Sequence, residues 1–87
     1  MTFDGTSAIS VYPNPTTGPV TVSGLPATAS ALTADWYDER GMLIVRQTSA
    51  IQNGIAGLTI NGAPGVYFLK IVLPDGTVTV RKVLLEK

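Results

Sequence analysis

Apolar residues recur along the chain with a period of two rather than about 3.6, in short runs rich in Val, Ile, Thr and Tyr. That is the spacing of strands with one buried face. Ile9 to Tyr12 reads as a first strand, ended by Pro13-Asn14-Pro15-Thr16-Thr17-Gly18. Pro19 to Ser23 follows with Val20 and Val22 on one face, and Gly24-Leu25-Pro26 closes it. Ala27-Thr28-Ala29-Ser30 is small and polar, a connection. Next, Leu32, Ala34 and Trp36 alternate with Thr33, Asp35 and Tyr37, giving a third strand with one apolar face. Asp38-Glu39-Arg40-Gly41 predicts a hairpin turn in which Gly41 takes positive φ, and Met42 to Gln47 return with Leu43 and Val45 sharing a face. Gln52-Asn53-Gly54 signals another turn and Leu58-Thr59-Ile60 a strand, with Gly54 and Gly57 weakening any strand between them. The clearest pair is Val66 to Leu73, then Pro74-Asp75-Gly76, then Thr77 to Leu85.

Seven short strands with Gly and Pro concentrated between them predict an all-β fold, an antiparallel β-sandwich of about seven strands. Val66 to Leu73 is apolar at six of eight positions without counting Tyr67, so it is expected at the centre with protein against both faces. The last strand carries Arg81, Lys82, Glu86 and Lys87, which places it near an edge. The sequence shows no internal repeat and no low-complexity tract.

Composition narrows what such a sandwich does. At 87 residues, 45% of them hydrophobic, the chain makes one domain with one core. Surface scaling has it burying about 60% of its unfolded surface, enough to fold with a thin margin. Six Lys plus Arg balance six Asp plus Glu, and only 14% of residues are charged, so there is no basic field for nucleic acid. With no His and no Cys, the chain lacks the common proton shuttle, the thiolate nucleophile, and imidazole or thiolate metal ligands. No cofactor or metal is expected, and the redox compartment cannot be read. Met1-Thr2-Phe3-Asp4-Gly5-Thr6-Ser7 has neither a basic nor an apolar signal region, and no run reaches membrane-spanning length. The chain is therefore expected to be cytosolic or a piece of a longer protein.

Candidate chemistry is sparse. Acid and base catalysis would draw on Asp4, Asp35, Asp38, Glu39, Asp75 and Glu86, most of which lie at turns or a terminus, and turn chemistry accounts for the adjacent Asp38 and Glu39. With no nucleophile elbow, phosphate loop or calcium loop, the chain is not expected to be an enzyme. A sugar-stacking platform needs aromatics on one face. Trp36 and Tyr37 are adjacent, as are Tyr67 and Phe68, so each pair splits between faces, leaving Phe3, Tyr12 and Tyr37 as the remaining combination. Pro13-Asn14-Pro15 keeps Tyr12 and Asn14 out of the helical region and ends the first strand. Gly65 suits a tight entry into the next strand, and Tyr67 is placed to bury its ring with the hydroxyl at a rim partner.

Taken in order, several segments resemble the type A C-terminal sorting domain of the type IX secretion system of Gram-negative bacteria. They are Ile9-Ser10-Val11-Tyr12-Pro13-Asn14-Pro15-Thr16-Thr17-Gly18, then Val20 and Val22, Tyr37-Asp38-Glu39-Arg40-Gly41, Leu58-Thr59-Ile60, Gly65-Val66-Tyr67-Phe68-Leu69-Lys70-Ile71 and Lys82-Val83-Leu84-Leu85-Glu86-Lys87. Arg81-Lys82 stands where a run of lysines is common, with the charge kept. The resemblance implies an immunoglobulin-like sandwich acting as a non-catalytic address for a cargo protein upstream in the same precursor. Cargo would pass through the periplasm and leave through the outer-membrane translocon with its shuttle proteins. A cysteine-peptidase sortase would then remove the domain, and the cargo would end at the cell surface or in the medium. The domain would span 9–87, with 1–8 a linker remnant or added start.

Recognition carries over by motif position to Pro13, Asn14, Pro15, Gly65, Tyr67, Lys82, Val83, Leu84, Leu85, Glu86 and Lys87. An edge strand at Thr77 to Leu85 would also offer backbone groups to a partner strand, including one from a second copy in a strand-swapped homodimer. The alternative is a structural, adhesive or carbohydrate-binding sandwich that stays on its parent.

Overall fold

The computed structural model describes residues 9–86, so the expected linker at 1–8, Phe3 and the terminal Lys87 lie outside the described residues. Seven strands follow in order: β1 (Ser10–Tyr12), β2 (Pro19–Ser23), β3 (Ala31–Asp38), β4 (Leu43–Ala50), β5 (Ala56–Thr59), β6 (Gly65–Val72) and β7 (Val78–Leu85). They form a three-stranded sheet in the order β1-β2-β5 and a four-stranded sheet in the order β4-β3-β6-β7. All paired strands run antiparallel. The first, second and fifth strands oppose the third, sixth and seventh, as in an immunoglobulin domain, and β4 stays beside β3 in the larger sheet.

Alternation drives this assembly, because every second residue of a strand faces the same way. Val20, Val22 and Leu58 face inward from the small sheet and meet Leu32, Ala34, Trp36, Leu69, Ile71, Val83 and Leu85 from the large one. Trp36 is fully buried. Its Nε1 donates to Gln47 Oε1 at 3.2 Å, and Gln47 Nε2 donates to the Thr59 carbonyl at 2.5 Å. One glutamine thus satisfies the buried indole and ties β4 to β5 along that side of the sandwich. The buried Thr79 hydroxyl has no hydrogen-bond partner among the described residues.

The β3–β4 turn forms as its residues predict. Asp38 Oδ1 accepts from the Arg40 and Met42 amides at 2.9 and 3.0 Å, and Gly41 sits at φ 86°. The expectation that Leu43 and Val45 share a face fails. Leu43 pairs with Tyr37 and Val45 with Trp36, around a register shift between Trp36 and Tyr37. Opposed residues share a face and Trp36 and Tyr37 do not, so the bulge moves Leu43 to the outside.

β4 also runs three residues further than its apolar pattern predicts, since Thr48 to Ala50 pair with Ala31 to Thr33. The turn at Asn53 and Gly54 has successive positive φ values of 55° and 74°, and β5 begins beyond it at Ala56. There Gly57 pairs with Thr21 inside the sheet. β6 is central between β3 and β7, as expected. Its second face is not covered: Val66, Phe68, Lys70 and Val72 are half-buried, while Tyr67, Leu69 and Ile71 are buried.

Candidate functional site

The motif segments converge on the outer edge of β7. After Tyr12 the chain leaves the small sheet through Pro13-Asn14-Pro15, whose Tyr12–Pro13 and Asn14–Pro15 bonds are cis, and crosses to the large sheet. There Asn14 Nδ2 donates to the Lys82 carbonyl at 2.8 Å, and the Leu84 amide donates to Asn14 Oδ1 at 2.9 Å. The side-chain amide stands in for a peptide unit of a neighbouring strand. Thr16 continues the pairing: its amide donates to the Leu84 carbonyl at 2.9 Å and its carbonyl accepts from Glu86 at 2.8 Å. This is a parallel bridge to Leu85.

The Thr16 hydroxyl, in a residue 2% exposed, accepts from the Gly18 amide at 3.0 Å and donates to the Pro19 carbonyl at 2.5 Å. It turns the chain back to the small sheet, where Ile60 N donates to the Gly18 carbonyl at 3.0 Å. At roughly 1 kcal/mol net for each neutral hydrogen bond, this clasp contributes several kcal/mol to holding the end of β7.

β7 is the outer strand of its sheet, as expected, and the clasp covers the Lys82 to Glu86 part of that edge. Leu84 sends both its amide and its carbonyl outward, so Val78, Val80 and Lys82 do likewise by alternation. Asn14 and Thr16 occupy the Lys82 to Glu86 stretch. The Val80 carbonyl accepts from Arg81 Nη1 at 3.1 Å, and Arg81 Nη2 reaches the Ile9 carbonyl at 3.1 Å. What stays open is too short for a partner strand to replace an ordinary pairing.

The matched positions divide into two kinds. Val83 and Leu85 are buried, and Tyr67, opposite Val83, donates its hydroxyl to the Ala63 carbonyl at 2.6 Å, the rim partner expected of it. Gly62 leaves room for that hydroxyl, since a Cβ there would lie 2.8 Å from it. Gly65 is half-buried opposite Leu85. These residues shape the domain. Pro13, Asn14, Pro15, Lys82, Leu84 and Glu86 are exposed. Thr16 was not singled out from the sequence, although Thr16-Thr17-Gly18 fits a hydroxyl-capped turn.

At the same end of the sheet, Asp38 to Arg40 and Ala63 to Tyr67 flank a cleft of about 330 Å³. It has no acid–base pair. The Met42 amide, aided by Arg40, holds the Asp38 carboxyl below the usual aspartate range, which keeps it ionised in its turn. Among the described residues, no group of three acids, histidines or cysteines could hold a metal. The sugar platform is not assembled either. Tyr12 lies in the small sheet and Tyr37 in the large one.

Residues 10–86 match the secretion system C-terminal sorting domain family. The chain belongs to this family. No protein of curated function matches it closely. A sorting domain of this kind is the signal that type IX secretion reads, and the family is non-catalytic. It implies contact with the secretion machinery and export to the cell surface or medium.

Proposed function

We propose that this sorting domain is an address whose end is held in fixed register for a reader in the periplasm. A cargo protein precedes it in the precursor, and shuttle proteins and the outer-membrane translocon take the pair across. A cysteine-peptidase sortase then cuts in the linker ahead of β1 and leaves the cargo on the surface or free. The observation that supports this reading best is the clasp: Asn14 and Thr16, near one end of the chain, fix the backbone of Lys82 to Glu86 near the other. Asn14, Gly65, Tyr67, Val83 and Leu85 then act by shape. Pro13, Pro15, Lys82, Leu84, Glu86 and Lys87 are the residues the reader meets. The same bonds made to the terminal strand of a second copy would give a strand-swapped homodimer.

A reporter fused ahead of the domain, in a host with type IX machinery, tests the reading. The whole domain should export the reporter, whereas removing Val83 to Lys87 should retain it in the cell at least tenfold. Asn14→Ala should lower export together with the melting temperature. Export of the truncated fusion at the full level would end the proposal. The mass of the exported reporter tests the sortase step, since the exported product should lack the sandwich from β1 onward.

A further inference from the structure

The sandwich has two outer faces, and they differ. On the small sheet the outward positions are Ser10, Tyr12, Pro19, Thr21, Ser23, Gly57 and Thr59, mostly small or hydroxylic, as for a face meeting water. On the large sheet Tyr37, Phe68 and Lys82 form one outward row, because Tyr37 opposes Phe68 and Phe68 opposes Lys82. The bulge adds Leu43, half exposed, to the end of that row, and Leu84 opposes Val66 beside it. Val78 and Val80, 49% and 52% exposed, continue the apolar surface along β7. Each strand of this sheet has eight residues. At about 4.8 Å between strands and about 3.3 Å per residue, the face covers on the order of 500 Å². Its apolar part is smaller than the whole face and of the order of the largest patch on an ordinary monomer, which is often a functional surface.

Its charge is one-sided. Within its strands the face presents Arg46, Lys70 and Lys82 against one carboxylate, Asp35, with the exposed Glu86 just beyond the end of β7. The Asp35 carboxylate is already taken: Arg46 Nε and Nη2 lie 2.7 and 3.1 Å from its oxygens, and Asp35 is 3% exposed. Lys70 opposes Asp35 on the next strand, and Lys82 lies diagonal to Lys70. The net charge of this face is therefore positive on a chain that is neutral overall. Two copies placed with these faces together would set the lysines of the strands against one another, with only Glu86 at one end of β7 to offset them. Nucleic acid would need more cations than this face holds.

We infer that the outer face of the four-stranded sheet docks on an acidic protein surface with an apolar centre, belonging to the machinery that reads the domain. Phe68, Tyr37, Leu43 and Leu84 supply the apolar contact, and Lys70 and Lys82 select carboxylates around it. The inference rests on the sorting function proposed above and extends the recognised area from the edge of β7 onto the face beside it.

The reporter fusion tests it, with melting temperatures of the purified variants measured alongside. Lys70→Gln with Lys82→Glu, and separately Phe68→Ser, should each reduce export at least tenfold, the charge variant while melting near the original temperature. Thr21→Glu on the small sheet should leave export unchanged. If the original domain does not export the reporter, the sorting function itself fails. If it does, and the folded charge variant exports equally well, the docking face alone is overturned. In sedimentation of the isolated domain, a dimer abolished by Phe68→Ser would overturn the acidic partner in favour of a second copy, whereas a monomer, or a dimer that Phe68→Ser leaves intact, agrees with it.

Discussion

The two sheets of this sandwich solve different problems. The small sheet has strands of three, five and four residues with apolar residues inward and mostly small or polar ones outward. The large sheet has four strands of eight residues and buries one apolar face while leaving a second half exposed. The small sheet is what a solvated wall requires. The large sheet therefore carries apolar surface that folding alone does not demand, and a domain that must be read by a partner has a use for it. The edges differ in the same sense: β7 is covered at its end by Asn14 and Thr16, whereas β4 is bulged and carries Leu43, Ile44 and Val45 in the open.

Unequal division of the core is the first point to test. Trp36→Ala in the large sheet should cost about 3–5 kcal/mol, a large part of the roughly 5–15 kcal/mol that holds such a domain folded. Val22→Ala in the small sheet removes two buried methyl groups and should cost about 2 kcal/mol. Urea midpoints of the two variants measure the difference, and equal losses would mean that the sheets share the core evenly.

A smaller effect concerns the ion pair on the large outer face. Hydrogen bonds from the Arg46 guanidinium, outweighing burial, hold the Asp35 carboxyl below its ordinary value. A lowered carboxylate pKa adds stability that is present above the unfolded value of about 3.9 and is lost as pH falls through the folded one. Asp35→Asn should cost on the order of 1 kcal/mol near neutrality, the exposed arginine being screened by water. Denaturation at a series of pH values should show the gap closing below about pH 4. A gap that persists in acid would place the contribution in packing instead.

The smallest expected change is a gain. Thr79→Val replaces a buried, unpartnered hydroxyl on β7 with a methyl group and should stabilise the domain by about 1 kcal/mol. A fall in melting temperature would show that the hydroxyl is bonded after all.

Much of the architecture follows from short stretches of chain. Pro74-Asp75-Gly76 makes the β6–β7 turn through Asp75 Oδ1, which accepts from Thr77 N at 2.9 Å, and strands 66–73 and 77–85 were expected within a residue of β6 and β7. Alternation placed Leu32, Ala34 and Trp36 in the core correctly. It failed where pairing rather than pattern extends a strand, as in Thr48 to Ala50, whose small polar side chains carry no period. It failed again at Leu43, because a bulge reverses faces without leaving a mark in the alternation.

The motif residues show the same divide. Pro13-Asn14-Pro15 announced a stiff exit from β1, because proline restricts the residue before it. Its destination was set by hydrogen bonds from Asn14 to residues 68 and 70 positions away. Period-two spacing and turn chemistry act over a few residues, so they specify strands, turns and the inward set of side chains. Which edge is closed, and which apolar face is left uncovered, depends on residues distant in the chain meeting once the sheets are packed.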